Sequence, residues 1–277
     1  MKPYKHLLDC YAMFDSLEHT STFSRDQLNK APVVFTSIME QWPAYPKWNT
    51  HFFEDRHGDH MILADRMEDG QSKFIRTSLK NYIKYMRECD EPNPYYAKTS
   101  LHLATDMRSE YPVDQYFPCW YRRWYQEHAQ EERKINLSNL YLGPAHALSP
   151  LHVDIWGTSF WNALFEGEKL WVFFLNSDEP FLYQGRVNPF TPDWDAFPLF
   201  RKAAPLIYIQ RPGELVYCPG GIWHAVLLLK PCIALSENFI NHENYQRVLQ
   251  SFARQNMWNA YHKMVAIRDA YQDVVWN

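Results

Sequence analysis

From Leu137 to Ile240 short apolar runs follow one another at close intervals, each closed by a turn signal, and this succession restricts the fold more than any other feature of the chain. The runs are LSNLYLG, SPLHVDIW, TSFWNALF, EKLWVFFL, APLIYIQ, GELVYCPG, IWHAVLLL and CIALSENFI. The turn signals between them include Glu166-Gly167, Arg211-Pro212-Gly213 and Pro219-Gly220-Gly221. Stretches this short and this rich in β-branched and aromatic residues favour strands. About eight strands at such spacing form a sandwich or a jelly-roll barrel.

Helices are expected on both sides of this region. Ser78 to Cys89 reads as an amphipathic helix capped by Ser78, with Leu79, Tyr82, Ile83 and Met86 on one face. Ala31 to Ile38 reads as a strand, and so does YYAKTS after the prolines of CDEPNPYY. Pro118 to Gln130 reads as a helix whose basic residues Arg122 and Arg123, with Lys134 beyond, lie on a solvated face. The tail from His242 to Asn277 reads as helical, its apolar positions Tyr245, Val248, Leu249, Phe252, Met257 and Tyr261 packing on the barrel or on another subunit. The expected organisation is one globular unit over 1–277, with a helix and strand region at 1–94, a barrel region at 95–256 and terminal helices at 241–277.

Composition narrows the function by exclusion. A formal net charge of −4 offers no overall basic field for a nucleic acid. The five cysteines are odd in number and form no CxxC pair, which fits free thiols in a reducing compartment. No signal-peptide core and no membrane-length apolar run appears, so a soluble intracellular protein without membrane contact is expected, in cytoplasm or nucleus.

Within this apolar setting, Ser149 to Phe174 contains a histidine, an aspartate and a lysine, which need partners if buried. On a strand His152 and Asp154 share one face, while Leu151, Val153 and Ile155 share the other. His224, just after the Pro219-Gly220-Gly221 turn, is the candidate third ligand. Two histidines and a carboxylate make the facial triad of non-heme Fe(II) oxygenases, whereas zinc would ordinarily take four ligands. By spacing alone a histidine inside an apolar strand is more often a satisfied core residue than a ligand. Lys169 adds a separate argument: its strand face is shared with Trp171 and Phe173, so its ammonium needs an anion there.

Two segments, LYLGPAHALSPLHVDIWGTSFWNALFEGEKLWVFF and PLIYIQRPGELVYCPGGIWHAVLLLKPCIALSENF, resemble in order, turns and spacing the JmjC (Jumonji C) family of Fe(II)- and 2-oxoglutarate-dependent oxygenases. The similarity is greatest to its small hydroxylase branch, which contains a lysyl hydroxylase, and extends over roughly residues 31 to 256. It implies a mainly β fold, a double-stranded β-helix of the cupin-like jelly-roll kind with N-terminal α/β elements and C-terminal helices. It further implies iron held by His152, Asp154 and His224, with 2-oxoglutarate and O₂ as cosubstrates. Lys169 and Tyr96 take the positions that bind the distal carboxylate of 2-oxoglutarate, and Asn162 a cosubstrate-contacting position near the metal. Ser149 and Ser236 stand where this branch has threonines, and Asn238 follows on the same strand face as Ser236; all three are candidate cosubstrate-binding residues. Trp156, Trp223 and His146 are candidates for the substrate side.

The resemblance implies hydroxylation at carbon of a side chain in a protein or peptide. It leaves open a tRNA, free amino-acid or natural-product substrate, N-demethylation, and a catalytically silent scaffold. It also implies a homodimer through the C-terminal helices.

Overall fold

Alternation along the strands sorts side chains between an interior and two outer layers, and this sorting positions the site. The computed structural model describes residues 17–28, 30–68, 70–131 and 135–273. Its strands are β1 (Glu18–Thr20), β2 (Val33–Phe35), β3 (Met61–Glu68), β4 (Gln71–Ser78), β5 (Tyr96–Thr99), β6 (Ser138–Gly143), β7 (Leu148–His152), β8 (Ser159–Glu166), β9 (Lys169–Phe174), β10 (Leu206–Gln210), β11 (Leu215–Cys218), β12 (Trp223–Leu228) and β13 (Cys232–Phe239). The helices are α1 (Thr50–His57), α2 (Leu79–Glu88), α3 (Trp120–Glu127), α4 (Tyr245–Arg254) and α5 (Trp258–Tyr271).

A nine-stranded sheet in the order β1-β2-β11-β8-β13-β6-β5-β3-β4 faces a four-stranded sheet in the order β10-β9-β12-β7. Phe160 and Leu164 of β8, Trp171 and Phe173 of β9, and Val226 and Leu228 of β12 meet between the sheets. Their strand neighbours point outward: Trp161, Ala163 and Phe165 join a core under the helices, while Leu170, Val172 and Phe174 join one under the 3₁₀ turns of Asn176–Phe181 and Pro198–Lys202. This is the jelly-roll expected from the strand spacing. The N-terminal elements extend its larger sheet, with β2 beside β11 and β3 beside β5.

The amphipathic helix α2 matches its sequence pattern. Ser78 Oγ accepts from the Asn81 amide at 3.3 Å, and Leu79, Tyr82, Ile83 and Met86 are all buried. Helix α3 is shorter than expected, and Arg122 does not lie on its solvated face. Arg122 is 7% exposed and pairs with Glu237 of β13 and with Asp114. The reason is helical phase: Trp120 N donates to Ile240 O at 2.8 Å, which turns Arg122 toward the sheet and leaves Arg123 outside with Glu127. Lys134 and Cys10 lie outside the described residues. Val248, Leu249 and Phe252 of α4 are buried on the barrel, and Met257 and Tyr261 pack against the same core. Cys89, Cys119, Cys218 and Cys232 are free thiols. Among the described residues, no helix is long and apolar enough to cross a membrane.

Candidate metal centre

The antiparallel pairing of β7 with β12 sets His152 directly opposite His224. A register shift follows between His224 and Val226, and it brings Ser149 into the interior beside His152 although strict alternation would separate them. The strand ends at His152, shorter than expected. Beyond it, the chain leaves the ladder and closes a 3₁₀ turn over Ile155–Gly157 with Gly157 N donating to Asp154 O at 3.0 Å. Asp154 keeps an extended conformation (φ −64°, ψ 154°), so its carboxylate stays on the side of the His152 imidazole.

Each histidine turns Nδ1 to a backbone carbonyl, Pro150 O at 2.7 Å for His152 and Ile222 O at 3.0 Å for His224. A carbonyl can only accept, so Nδ1 carries the hydrogen and Nε2 keeps its lone pair. His152 Nε2 lies 3.6 Å from Asp154 Oδ1, and the two imidazole centroids are 4.3 Å apart. One donor atom from each of His152, Asp154 and His224 falls within 4.8 Å of the others, close enough for all three to hold one metal ion. Asp154 Oδ2 accepts from Asn238 Nδ2 at 2.9 Å, and the same amide donates to Thr158 Oγ1 at 2.9 Å. Asn238 therefore orients the carboxylate and leaves Oδ1 facing the histidines.

The electrostatics suit cation binding. Burial, aided by repulsion from His152, lowers His224 to about 4, so it is neutral near pH 7. Burial also opposes charge on His152 and Asp154. It is outweighed by their mutual attraction, which holds His152 above and Asp154 below the ordinary value. When His152 is charged its Nε2 proton points to Asp154, and a bound cation would take that proton's place.

Lys169 lies deeper between the sheets, 2% exposed. Its Nζ donates to Asn162 Oδ1 at 3.1 Å and stands 5.9 Å from the ring centroids of both Tyr141 and Trp171. Among the described residues no carboxylate forms an ion pair with it, and burial lowers its pKa to about 8. Tyr96, Tyr141, Ser149, His152, Asp154, Asn162, Lys169, His224, Ser236 and Asn238 line one pocket with Phe160, Trp171 and Val226. Ser236 Oγ donates to Trp161 O at 2.8 Å, leaving its lone pairs to the pocket. Tyr141 was missing from the sequence expectation. Its signal is the alternation in SNLYLG, which puts Leu140 and Leu142 in the outer core and Tyr141 opposite them.

Three expected substrate-side residues are placed differently. Trp156 turns its ring into the helix layer, 5.8 Å from Tyr121 and 5.0 Å from Phe252. Its edge, with half-buried Trp223, lines a groove of about 830 Å³ between α4 and the Asn176–Phe181 turn. Asp154 lines both this groove and the inner pocket, so the groove reaches the candidate ligands. His146 lies at the other end of the strands, where its amide donates to Leu228 O at 2.8 Å, and the structure does not bring it to the site.

Residues 20–245 match the family model of the cupin-like domain. A lysine-specific demethylase JMJ21 of Arabidopsis thaliana is 28% identical over 80% of this chain and 24% of its own length. The bifunctional arginine demethylase and lysyl-hydroxylase psr-1 of Caenorhabditis elegans is 24% identical over 82% of this chain and 60% of its own. The mouse 2-oxoglutarate and iron-dependent oxygenase JMJD4 is 23% identical over 89% of this chain and 64% of its own. The chain spans less than two thirds of the length of each of these relatives. With a matched domain covering most of the chain and JmjC motifs on its inner strands, the protein belongs to the cupin-like domain family, in its JmjC line.

Proposed function

We propose that the protein is an Fe(II)- and 2-oxoglutarate-dependent oxygenase that hydroxylates a carbon of an amino-acid side chain in a protein or peptide. The observation that carries this reading is Lys169, a buried ammonium with an amide partner and, among the described residues, no paired carboxylate, in the same pocket as a His-Asp-His donor set. A dicarboxylate with one end on the metal would give that ammonium its anion. The two histidine Nε2 atoms and Asp154 Oδ1 would hold the metal. When bound, iron and 2-oxoglutarate supply O₂ activation, one oxygen atom leaving in succinate with release of CO₂ and the other entering a substrate C–H bond.

The chain's own residues do the rest. Lys169 and Tyr96 receive the distal carboxylate. Phe160, Trp171 and Phe173 form a dry wall, and the groove beside Asp154 holds the substrate. The pocket has free space of about 50 Å³, enough for only a few water molecules.

The demethylase names among the relatives favour a second substrate for the same step, an N-methyl group, whose hydroxylated product would release formaldehyde. Incubation of the protein with Fe(II), 2-oxoglutarate and either a peptide pool or a tRNA pool separates the readings. Succinate release with a one-oxygen mass gain on a peptide supports hydroxylation, whereas formaldehyde supports demethylation and a gain on tRNA redirects the substrate. No 2-oxoglutarate binding, and no succinate with either pool, would sink the oxygenase reading.

We also infer a homodimer through the C-terminal helices, supported by an apolar trough of about 830 Å³ whose lining includes Tyr125, Phe252, Met264 and Ile267. Sedimentation showing only monomer at high concentration would refute it.

A further inference from the structure

The two turns that flank the candidate ligands touch one another. Gly157 comes just after Asp154, and Gly220 and Gly221 just before His224. Gly220 packs so closely on the Gly157 carbonyl that a Cβ at this position would collide with it. Gly157 and Gly221 adopt φ of 66° and 83°, conformations that residues with side chains rarely hold.

One side chain from another element spans both turns. Arg247, in the first part of α4, lays its stem along Gly157, where a Cβ would come within 3.3 Å of Arg247 Cγ and Cδ. Its Nη1 donates to Gly220 O and lies against Gly221. The start of α4 is tied to the barrel, because Asn244 Nδ2 donates to Phe239 O at 2.8 Å, one residue beyond the Asn238 that holds Asp154.

We propose that Arg247 is a positioning residue of the metal centre. By bridging Gly157 and Gly220 it fixes the separation of Asp154 from His224, so the helix after the barrel completes the site although it supplies no ligand. The inference rests on the metal-centre reading. Groups that orient ligands from outside the coordination shell typically change metal affinity by about 10- to 100-fold when removed.

The test is Mn(II) affinity, read from the electron paramagnetic resonance of free Mn(II), with thermal unfolding of the metal-free protein beside it. Arg247→Met keeps the stem on Gly157 and removes the donor to Gly220 O; Arg247→Lys restores a donor. The expected result is at least about 10-fold weaker Mn(II) binding for the methionine variant, partial recovery for lysine, and similar metal-free unfolding temperatures. Wild-type affinity in the methionine variant, or no recovery in the lysine variant, overturns the proposal. If the wild-type protein itself binds no Mn(II), the metal-centre reading fails and takes this inference with it. That outcome is distinct from a wild type that binds and a variant that binds equally.

Discussion

Lys169 Nζ lies 3.1 Å from Asn162 Oδ1, and among the described residues this amide is the one hydrogen-bond partner of a buried ammonium with three hydrogens to donate. The arrangement is costly to the empty protein and favourable once an anion arrives. Lys169→Met is expected to leave the fold intact and to stabilise the ligand-free protein, because it removes the desolvation cost of an ammonium buried without an ion-pair partner among the described residues. The same variant should weaken 2-oxoglutarate binding by about 2–3 kcal/mol, roughly 30- to 150-fold. Calorimetric titration and denaturant unfolding read the two effects separately. A variant less stable than wild type that binds the keto acid normally would contradict the assignment.

The pH dependence of the two effects has opposite sign. Burial lowers the Lys169 pKa from 10.5 to about 8. Between these values the unfolded chain carries the proton and the folded one does not, so folding stability rises with pH across that window; below about 8 the cost of the buried charge is fully present. The stability gap between Lys169→Met and wild type should therefore narrow as pH rises from about 8 to 10.5. Keto-acid binding needs the ammonium, so its affinity should fall over the same range. Affinity that stays flat from about pH 7.5 to 9.5 would count against Lys169 as the anion partner.

Asn238 makes a separate case. Its amide binds Asp154 Oδ2 and Thr158 Oγ1, each at 2.9 Å, which places it behind the carboxylate. Asn238→Leu should weaken metal binding by about 10-fold or more, and the loss should be in metal affinity before it appears in keto-acid affinity at saturating metal. Normal metal affinity with impaired 2-oxoglutarate binding would instead make Asn238 a direct cosubstrate contact, the role expected from its strand face.

The barrel and the donor set were legible because both are written in local pattern. Short strands with turn signals fixed the fold class, and the polar residues His152, Asp154 and Lys169 stood out on apolar strands. Three things were hidden for physical reasons. The β3–β4 hairpin is mostly solvent-facing, with Met61, Leu63, Met67 and Phe74 exposed, so its alternation does not follow burial; the Asp69-Gly70 pair in the sequence was the available signal. The bulge that turns Ser149 inward depends on pairing with β12, which local alternation does not encode. The phase of α3, and with it the burial of Arg122, is set by Ile240, a residue far away in sequence.

Arg122 supplies the last prediction. Its guanidinium bridges Glu237 and Asp114, and Glu237, 0% exposed, also accepts from Ser138 Oγ at 2.6 Å and Tyr111 OH at 3.1 Å. Burial raises the Glu237 pKa and is outweighed by Arg122, Arg108 and the Ser138 hydrogen bond, so the carboxylate is held below its ordinary range. Removing one partner leaves an uncompensated buried charge, so Arg122→Met should cost about 3–5 kcal/mol of stability. The double change Arg122→Met with Glu237→Leu should recover much of that loss, because the stranded carboxylate is gone. Since the folded pKa of Glu237 is depressed, its contribution is present above the unfolded carboxylate pKa and is lost as pH falls through the folded value. Wild-type protein should therefore lose stability on acidification more steeply than the double variant. β13 carries Glu237 outward and Ser236 and Asn238 inward, so the single variant should also disturb metal binding, whereas a pair that merely decorates the surface would leave both stability and affinity unchanged.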